Sequence, residues 1–208
     1  MAPISVLVIE NQPLTRLGIR ALFDTVDDIE LLGDAATPAD GFRMFSEMRP
    51  DVTLLGLRFP DSCSIDDLDN YLIERPRARI IMLAEHTGDN EIARALKKGA
   101  VGYIAKDVAP GDLLDAVRTV NAGRKYIPAE IAGILSENFG REELTPAETS
   151  VLDMVVGGMS NKEIAFALDI SENTVKSHIQ NIFGKLGVSD RTSATTLAIK
   201  RGLVRIDI

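Results

Sequence analysis

The sequence predicts two domains of different class. An α/β doubly wound, five-stranded parallel sheet is expected over residues 1–123, and an all-α four-helix unit over residues 144–208. Three observations lead there. Short apolar, β-branched runs alternate five times with helical patterns between Ile4 and Ala122, the signature of β-α units that cover both faces of a sheet. Two helical patterns between Ser160 and Leu186 are separated only by Asp169-Ile170-Ser171. The 208 residues suffice for two small domains.

The elements follow in order. Ile4 to Ile9 is a buried-strand run, and Pro13 opens a helix through Phe23. Ile29 to Gly33 reads as strand and Ala39 to Met48 as helix, with Phe42, Met44, Phe45 and Met48 at core spacing. Pro50-Asp51 punctuates before the strand Val52 to Leu55. Ile65 to Glu74 is a weakly patterned, acid-rich helix, and Arg79 to Leu83 a strand. Asn90 to Lys98 is a helix ended by Gly99. Val101 to Ala105 is strand and Gly111 to Ala122 helix. Ligand sites in such sheets form beyond the carboxyl ends of the strands, here at Glu10-Asn11, Gly56, Ala84 and Lys106. Residues 124–143 read as a linker with one helix, Ala129 to Asn138.

The last third holds four helices, about Pro146 to Val156, Asn161 to Leu168, Glu172 to Leu186 and Arg191 to Arg201. In the first of the paired helices Ile164, Ala165, Ala167 and Leu168 make an apolar face. In the second Val175, Ile179, Ile182, Phe183 and Leu186 do so. Ser171 followed by Glu172 is a helix start, and so tight a turn forces the steep crossing of a helix-turn-helix. The free face of the second helix carries Thr174, Lys176, Ser177, His178, Gln180, Asn181 and Lys185, with no acid. Lys and Gln reach base edges, while Thr, Ser, Asn and His bond phosphate oxygens.

Leu144-Thr145-Pro146-Ala147-Glu148, Ser160 to Ala165, Ser171 to His178, Lys185 to Val188 and Arg191-Thr192 together resemble the LuxR-type helix-turn-helix. Asp169 departs from it, standing where that family usually has Gly, either near DNA or as a turn cap. Val6 to Ile9, Asn11 to Leu14, Arg49 to Leu55, Leu57 to Pro60 and Gly99 to Asp107 resemble the receiver domain of response regulators, a flavodoxin-like fold. The whole chain is thus similar to a response regulator of the NarL/FixJ type. The resemblance implies double-stranded DNA as partner, with Lys176, Ser177 and Gln180 as base contacts. Asn161, Lys162, Thr174, His178, Asn181 and Lys185 would contact the DNA backbone. It also implies a homodimer on an inverted-repeat promoter site, with Ala194, Leu197 and Ala198 of the last helix supplying a contact.

The receiver chemistry the family implies is phosphoryl transfer to an aspartate, with Mg²⁺ held by acids. The sequence departs from it. Gly56 stands at the nucleophile's place, Asn11 replaces one acid of the pair, and Ala84 replaces the switch hydroxyl, which should uncouple Tyr103. Glu10 and Lys106 remain, leaving a vestigial site of Glu10, Asn11, Gly56, Ala84, Tyr103 and Lys106. Lys106 either pairs with Glu10 or anchors an anionic ligand, and water, Arg58 or a small molecule could fill the gap at Gly56. Asp51 and Asp61 are the nearby acids, Asp51 at the wrong end of its strand. The expectation is an atypical receiver, controlled by dimerisation, a protein partner or a small ligand. The alternative is a protein-interaction module that heterodimerises with and titrates another regulator.

Composition narrows the rest. Net charge is −8, from 23 Lys and Arg against 31 Asp and Glu. From Arg141 onward there are eight against nine, so only −1 belongs there and −7 to the remainder. DNA binding must rest on a local patch of Lys162, Lys176, Lys185 and Arg191, with Lys200 and Arg201 nearby. No run of about 18 apolar residues or signal peptide is present, so neither membrane nor secretion is expected. One cysteine, Cys63, reads as an ordinary loop residue in a reducing, cytoplasmic setting. Cys63, His86 and His178 form no triad, so no enzyme is expected. Asp61 to Asp69 lacks a calcium-loop pattern and reads as a solvated face, so neither metal nor cofactor is expected.

Overall fold

The computed structural model describes residues 2–85, 89–128 and 144–204, the side chains of 89 and 90 excepted. His86 and the expected linker helix Ala129 to Asn138 lie outside the described residues. Two compact units divide the chain.

The N-terminal unit runs β1 (Ile4–Ile9), α1 (Pro13–Phe23), β2 (Ile29–Ala35), α2 (Pro38–Met48), β3 (Val52–Gly56), β4 (Arg58–Phe59), β5 (Ser62–Cys63), α3 (Ser64–Glu74), β6 (Ile80–Ala84), α4 (Asp89–Lys97), β7 (Gly102–Ala105) and α5 (Pro110–Asn121). Five strands form one sheet in the order β2-β1-β3-β6-β7, with every neighbouring pair parallel. The order reverses beside β1, so β1 and β3 flank the switch point where such sheets bind ligands. β3 and β6 are buried along their whole length, as strands covered on both faces must be. Val6, Val8, Leu54, Ile81 and Ile104 pack on one face with Ile19 and Phe23 of α1 and Leu113 and Val117 of α5.

Several boundaries differ from the sequence reading. β2 runs on to Ala35, because its backbone keeps pairing with Ile9 past the apolar run. Arg58–Phe59 and Ser62–Cys63 close a small antiparallel hairpin after β3, too short to leave a pattern. Cys63 is therefore a buried strand residue and not a loop residue. Tyr126 exchanges backbone bonds at the edge of β7, its carbonyl accepting from the Tyr103 N–H at 3.1 Å. The first linker residues thus cover an otherwise open sheet edge. Of the four core candidates on α2, Phe45 is buried, Phe42 and Met44 are partly so, and Met48 is exposed.

The C-terminal unit is α6 (Pro146–Val156), α7 (Asn161–Leu168), α8 (Glu172–Leu186) and α9 (Arg191–Lys200). Val151, Leu152, Val155, Ile164, Val175, Ile182 and Ala198 form its core. Capping boxes start α6 at Thr145 with Glu148, and α7 at Ser160 with Glu163. Each satisfies two backbone or hydroxyl donors that a helix start would otherwise leave open. Among the described residues no helix is long and apolar enough to cross a membrane.

Candidate nucleic-acid interface and receiver pocket

The turn between α7 and α8 is set by Asp169, which takes the left-handed conformation at φ 52° and ψ 47° and closes α7. Asp tolerates this conformation better than most residues, so Asp169 is the turn cap. Ser171 then caps α8 by accepting from the Thr174 N–H at 3.0 Å. Buried Val175 and Ile182, with partly buried Ile179 and Phe183, turn one side of α8 to the core. Lys176, Ser177, Gln180 and Asn181 stand on the exposed side, as do Glu172, Asn173 and Thr174. Lys162 is exposed on α7, while Asn161 and His178 are partly buried.

The structure thins the basic patch. Lys185 donates from Nζ to the buried Glu148 carboxylate at 2.8 Å. Burial pushes the Glu148 carboxyl up, but the Lys185 ammonium and the Thr145 N–H and hydroxyl outweigh this and hold it below the usual glutamate range. Arg191 donates to the Val155 carbonyl at 3.1 Å and to that of Met159, so it ties the end of α6 to α9. Both cations hold the domain together, a role that charge counting could not reveal. Thr174 shares its hydroxyl with Ser171 at 2.8 Å. On α9, Ala194 and Ala198 are fully buried in their own domain and cannot supply the expected dimer contact. Its exposed side is Thr192, Ser193, Thr196, Ile199 and Lys200, with Leu197 partly buried.

At the carboxyl edge of the sheet the register sets Ile9 beside Leu55 and Ala84 beside Ala105. Glu10 and Gly56 are thereby neighbours, and Lys106 follows β7 two strands away. Glu10 is fully buried. Its Oε1 accepts from Lys106 Nζ and from the Gln12 N–H, each at 2.9 Å. Among the described residues its Oε2 has no hydrogen-bond partner, and it lies 2.5 Å from where a Cβ on Gly56 would stand. The gap at Gly56 is therefore filled by the Glu10 carboxylate. Arg58, by contrast, is exposed on β4. The Gly56 carbonyl accepts from the buried Ser64 hydroxyl at 2.7 Å, which anchors α3 to the end of β3.

Around this core Gln12 Nε2 donates to Glu85, whose carboxylate lies 3.9 Å from Lys106. Arg16 holds the Glu10 and Asn11 carbonyls and reaches Asp34 at 2.8 Å. Ala84 and Tyr103 are buried. Asp51 lies at the other end of β3, where its carboxylate accepts from the Ser5 N–H at 3.0 Å and hydroxyl at 2.7 Å. A receiver fold implies Mg²⁺, and these residues do not fit it. A hard cation needs several oxygen ligands, and here the buried Glu10 carboxylate carries the Lys106 ammonium on one oxygen, with the Glu85 carboxylate 3.9 Å from the same ammonium. Among the described residues no group of three or more His, Cys, Asp and Glu could hold a metal ion.

Comparison with known proteins agrees with both halves. Residues 6–118 match the response regulator receiver domain, and residues 142–198 match the bacterial regulatory proteins of the luxR family. The transcriptional regulatory protein MctR of Rhizobium johnstonii is 34% identical over 204 residues, covering 97% of this chain and 95% of that one. The nitrate/nitrite response regulator NarL of Escherichia coli K12 is 30% identical, covering 92% and 93%. RcsB of Salmonella enterica serovar Typhimurium, solved bound to a promoter, shares the fold with a TM-score of 0.73 at 22% identity, covering 93% and 97%.

Proposed function

The chain belongs to the DNA-binding response regulators that join a receiver to a LuxR-type helix-turn-helix domain, and from that membership we propose that it regulates transcription without an aspartyl phosphate. One observation carries the second half. The Glu10 carboxylate occupies the space over Gly56 and pairs with Lys106, so the slot for a transferred phosphoryl group already holds an internal anion. No hydroxyl at Ala84 can relay a change to Tyr103. Control then falls to assembly or to a protein partner, since a small anion at Lys106 would have to displace Glu10.

In the DNA-binding domain, α8 lies in the major groove. Lys176 favours guanine O6 and N7, Gln180 favours adenine N6 and N7, and Ser177 reads either. Asn161, Lys162, Thr174, His178 and Asn181 hold phosphates. Lys185 joins them only by sharing its ammonium with Glu148. With so few uncommitted cations, a single copy binds weakly and the salt slope is shallow. A two-fold homodimer on inverted half-sites about one helical turn apart supplies the missing affinity. Promoter DNA in turn places the protein in the cytoplasm.

Two measurements on the untreated full chain test this. Incubation with acetyl phosphate and intact-mass analysis should show no added phosphate, and footprinting should show sequence-specific protection. A stoichiometric gain of one phosphate would overturn the second half. Protection that appears only with a second regulator present would favour the titrating module.

A further inference from the structure

The ion pair between Glu148 of α6 and Lys185 of α8 reaches the side of α8 that carries the DNA contacts. Ser177, Asn181 and Lys185 stand at i, i+4 and i+8, one row along that helix. Gln180, Asn181, Gly184 and Lys185 line a hollow on the same side, and the fifth residue lining it is Glu148. Gly184 leaves the hollow open to close approach, with nothing among the described residues within 4 Å of where its Cβ would stand. Two amides and an ammonium can donate to a phosphate oxygen here, whereas an ionised carboxylate only accepts.

One oxygen of that carboxylate serves two donors. Glu148 Oε2 accepts from the Thr145 N–H, at the start of α6, and from Lys185 Nζ, each at 2.8 Å. The Glu148 side chain is only 5% exposed and that of Lys185 17%. A buried carboxylate stripped of its cation is strongly unfavourable, so an approaching phosphate takes the ammonium only against that cost. Lys185 is therefore a weaker phosphate contact than Lys162, which is exposed on α7.

We propose that Glu148 is a brake on DNA affinity, its carboxylate competing with a backbone phosphate for the Lys185 ammonium. The inference rests on the DNA-binding reading. It makes Glu148 a positioning residue, which touches no DNA and acts through Lys185. Phosphate contacts carry no sequence information, so the brake lowers affinity for every duplex alike and leaves base preference to Lys176, Ser177 and Gln180. Glutamine at position 148 releases it. A capping box accepts Gln in place of Glu, so the neutral amide keeps the Thr145 N–H while losing its hold on the ammonium.

Binding of the full chain to a single half-site duplex, measured from about 50 to 200 mM salt, tests this. Relative to wild type, Glu148→Gln should bind at least about 3-fold more tightly at the low-salt end. The slope of log Kobs against log salt should steepen by about 0.9, the worth of one phosphate contact. A purely structural role for Glu148 would leave that slope alone. A scrambled duplex should gain by the same factor, and the double variant Glu148→Gln, Lys185→Met should lose both the gain and the added slope. Glu163→Gln removes the same charge from the α7 capping box, where the carboxylate accepts from Ser160, and should change the slope less than half as much. Should circular dichroism show Glu148→Gln unfolded, Lys185→Met decides alone, and it should flatten the slope less than half as much as Lys162→Met. An unchanged slope in folded Glu148→Gln, an equal gain in Glu163→Gln, a gain that survives Lys185→Met, or equal flattening by Lys185→Met and Lys162→Met would each overturn the proposal. A wild type that binds no duplex would overturn the DNA-binding reading itself, and this inference with it.

Discussion

Replacing Gly56 by Ala asks directly whether the Glu10 carboxylate fills the space above it. A Cβ at position 56 would lie 2.5 Å from Glu10 Oε2 and 3.2 Å from the Ile9 carbonyl, where ordinary contact begins near 3.4 Å. Gly56 is not among the glycines with positive φ, so the substitution carries no backbone strain of that kind. Without a clash, Ala should gain about 0.5–1 kcal/mol from reduced chain entropy. With the clash, Glu10 must rotate out of a fully buried site and loosen its bond to Lys106. Hydrogen bonds to charged groups contribute about 1.5–3 kcal/mol, so Gly56→Ala should destabilise by about 1–3 kcal/mol. Glu10→Ala strips Lys106 of its buried partner at a cost of about 3–5 kcal/mol. Glu85, 3.9 Å from the ammonium, should hold that near the lower bound. In the Glu10→Ala background the clash is gone and Gly56→Ala should be neutral or stabilising. The cycle should therefore show a coupling of about 1–4 kcal/mol. Urea unfolding followed by tyrosine fluorescence is the assay. All three tyrosines, Tyr71, Tyr103 and Tyr126, lie in the N-terminal unit and the chain has no tryptophan, so the signal reports that unit alone. Additivity within about 0.5 kcal/mol would mean that the carboxylate does not stand over Gly56, and the account of the filled slot would fail.

Lys176→Ala should relax specificity at one base pair and cost about 1–3 kcal/mol of DNA binding, read by competition with single-base operator variants; an unchanged footprint and affinity would contradict the assignment of α8. Asp169→Gly should stabilise the C-terminal unit by about 0.5–1 kcal/mol, because glycine adopts φ 52° without a Cβ penalty, and calorimetry would detect the rise. The Glu148 carboxyl titrates below its ordinary value in the folded domain. Its contribution to stability is thus complete above the unfolded pKa and is lost as pH falls through the folded one. Acid titration followed by circular dichroism should show the C-terminal helices weakening below about pH 4.5, the unfolded reference for glutamate. In Glu148→Gln that acid-dependent part should disappear.

Most of the fold was legible because it rests on local, repeated signals. Five apolar runs spaced by helical patterns leave few arrangements besides a doubly wound parallel sheet, and the five strands do form one parallel sheet. The turn Asp169-Ile170-Ser171 and the helix start at Ser171 could be read because each depends on residues within a few positions of one another. The hairpin at Arg58 to Cys63 and the bridge at Tyr126 escaped notice, since two or three backbone bonds need no apolar period. The candidate site was legible in its members but not in its arrangement.

The residue types at positions 10, 11, 56, 84 and 106 gave the expectation of a sheet edge without an acceptor carboxylate or a switch hydroxyl. Only the tertiary structure decided what became of the vacancy. Register sets Glu10 beside Gly56, and the carboxylate buried between strand ends pairs with the Lys106 ammonium, 96 residues away in sequence. Lys185 and Arg191 make the same point in the other domain. As letters they are two cations beside a DNA-facing helix; folded, one neutralises a buried glutamate and the other terminates a helix. Charge type is a property of the residue, while its availability depends on which unsatisfied groups folding places within 3 Å of it.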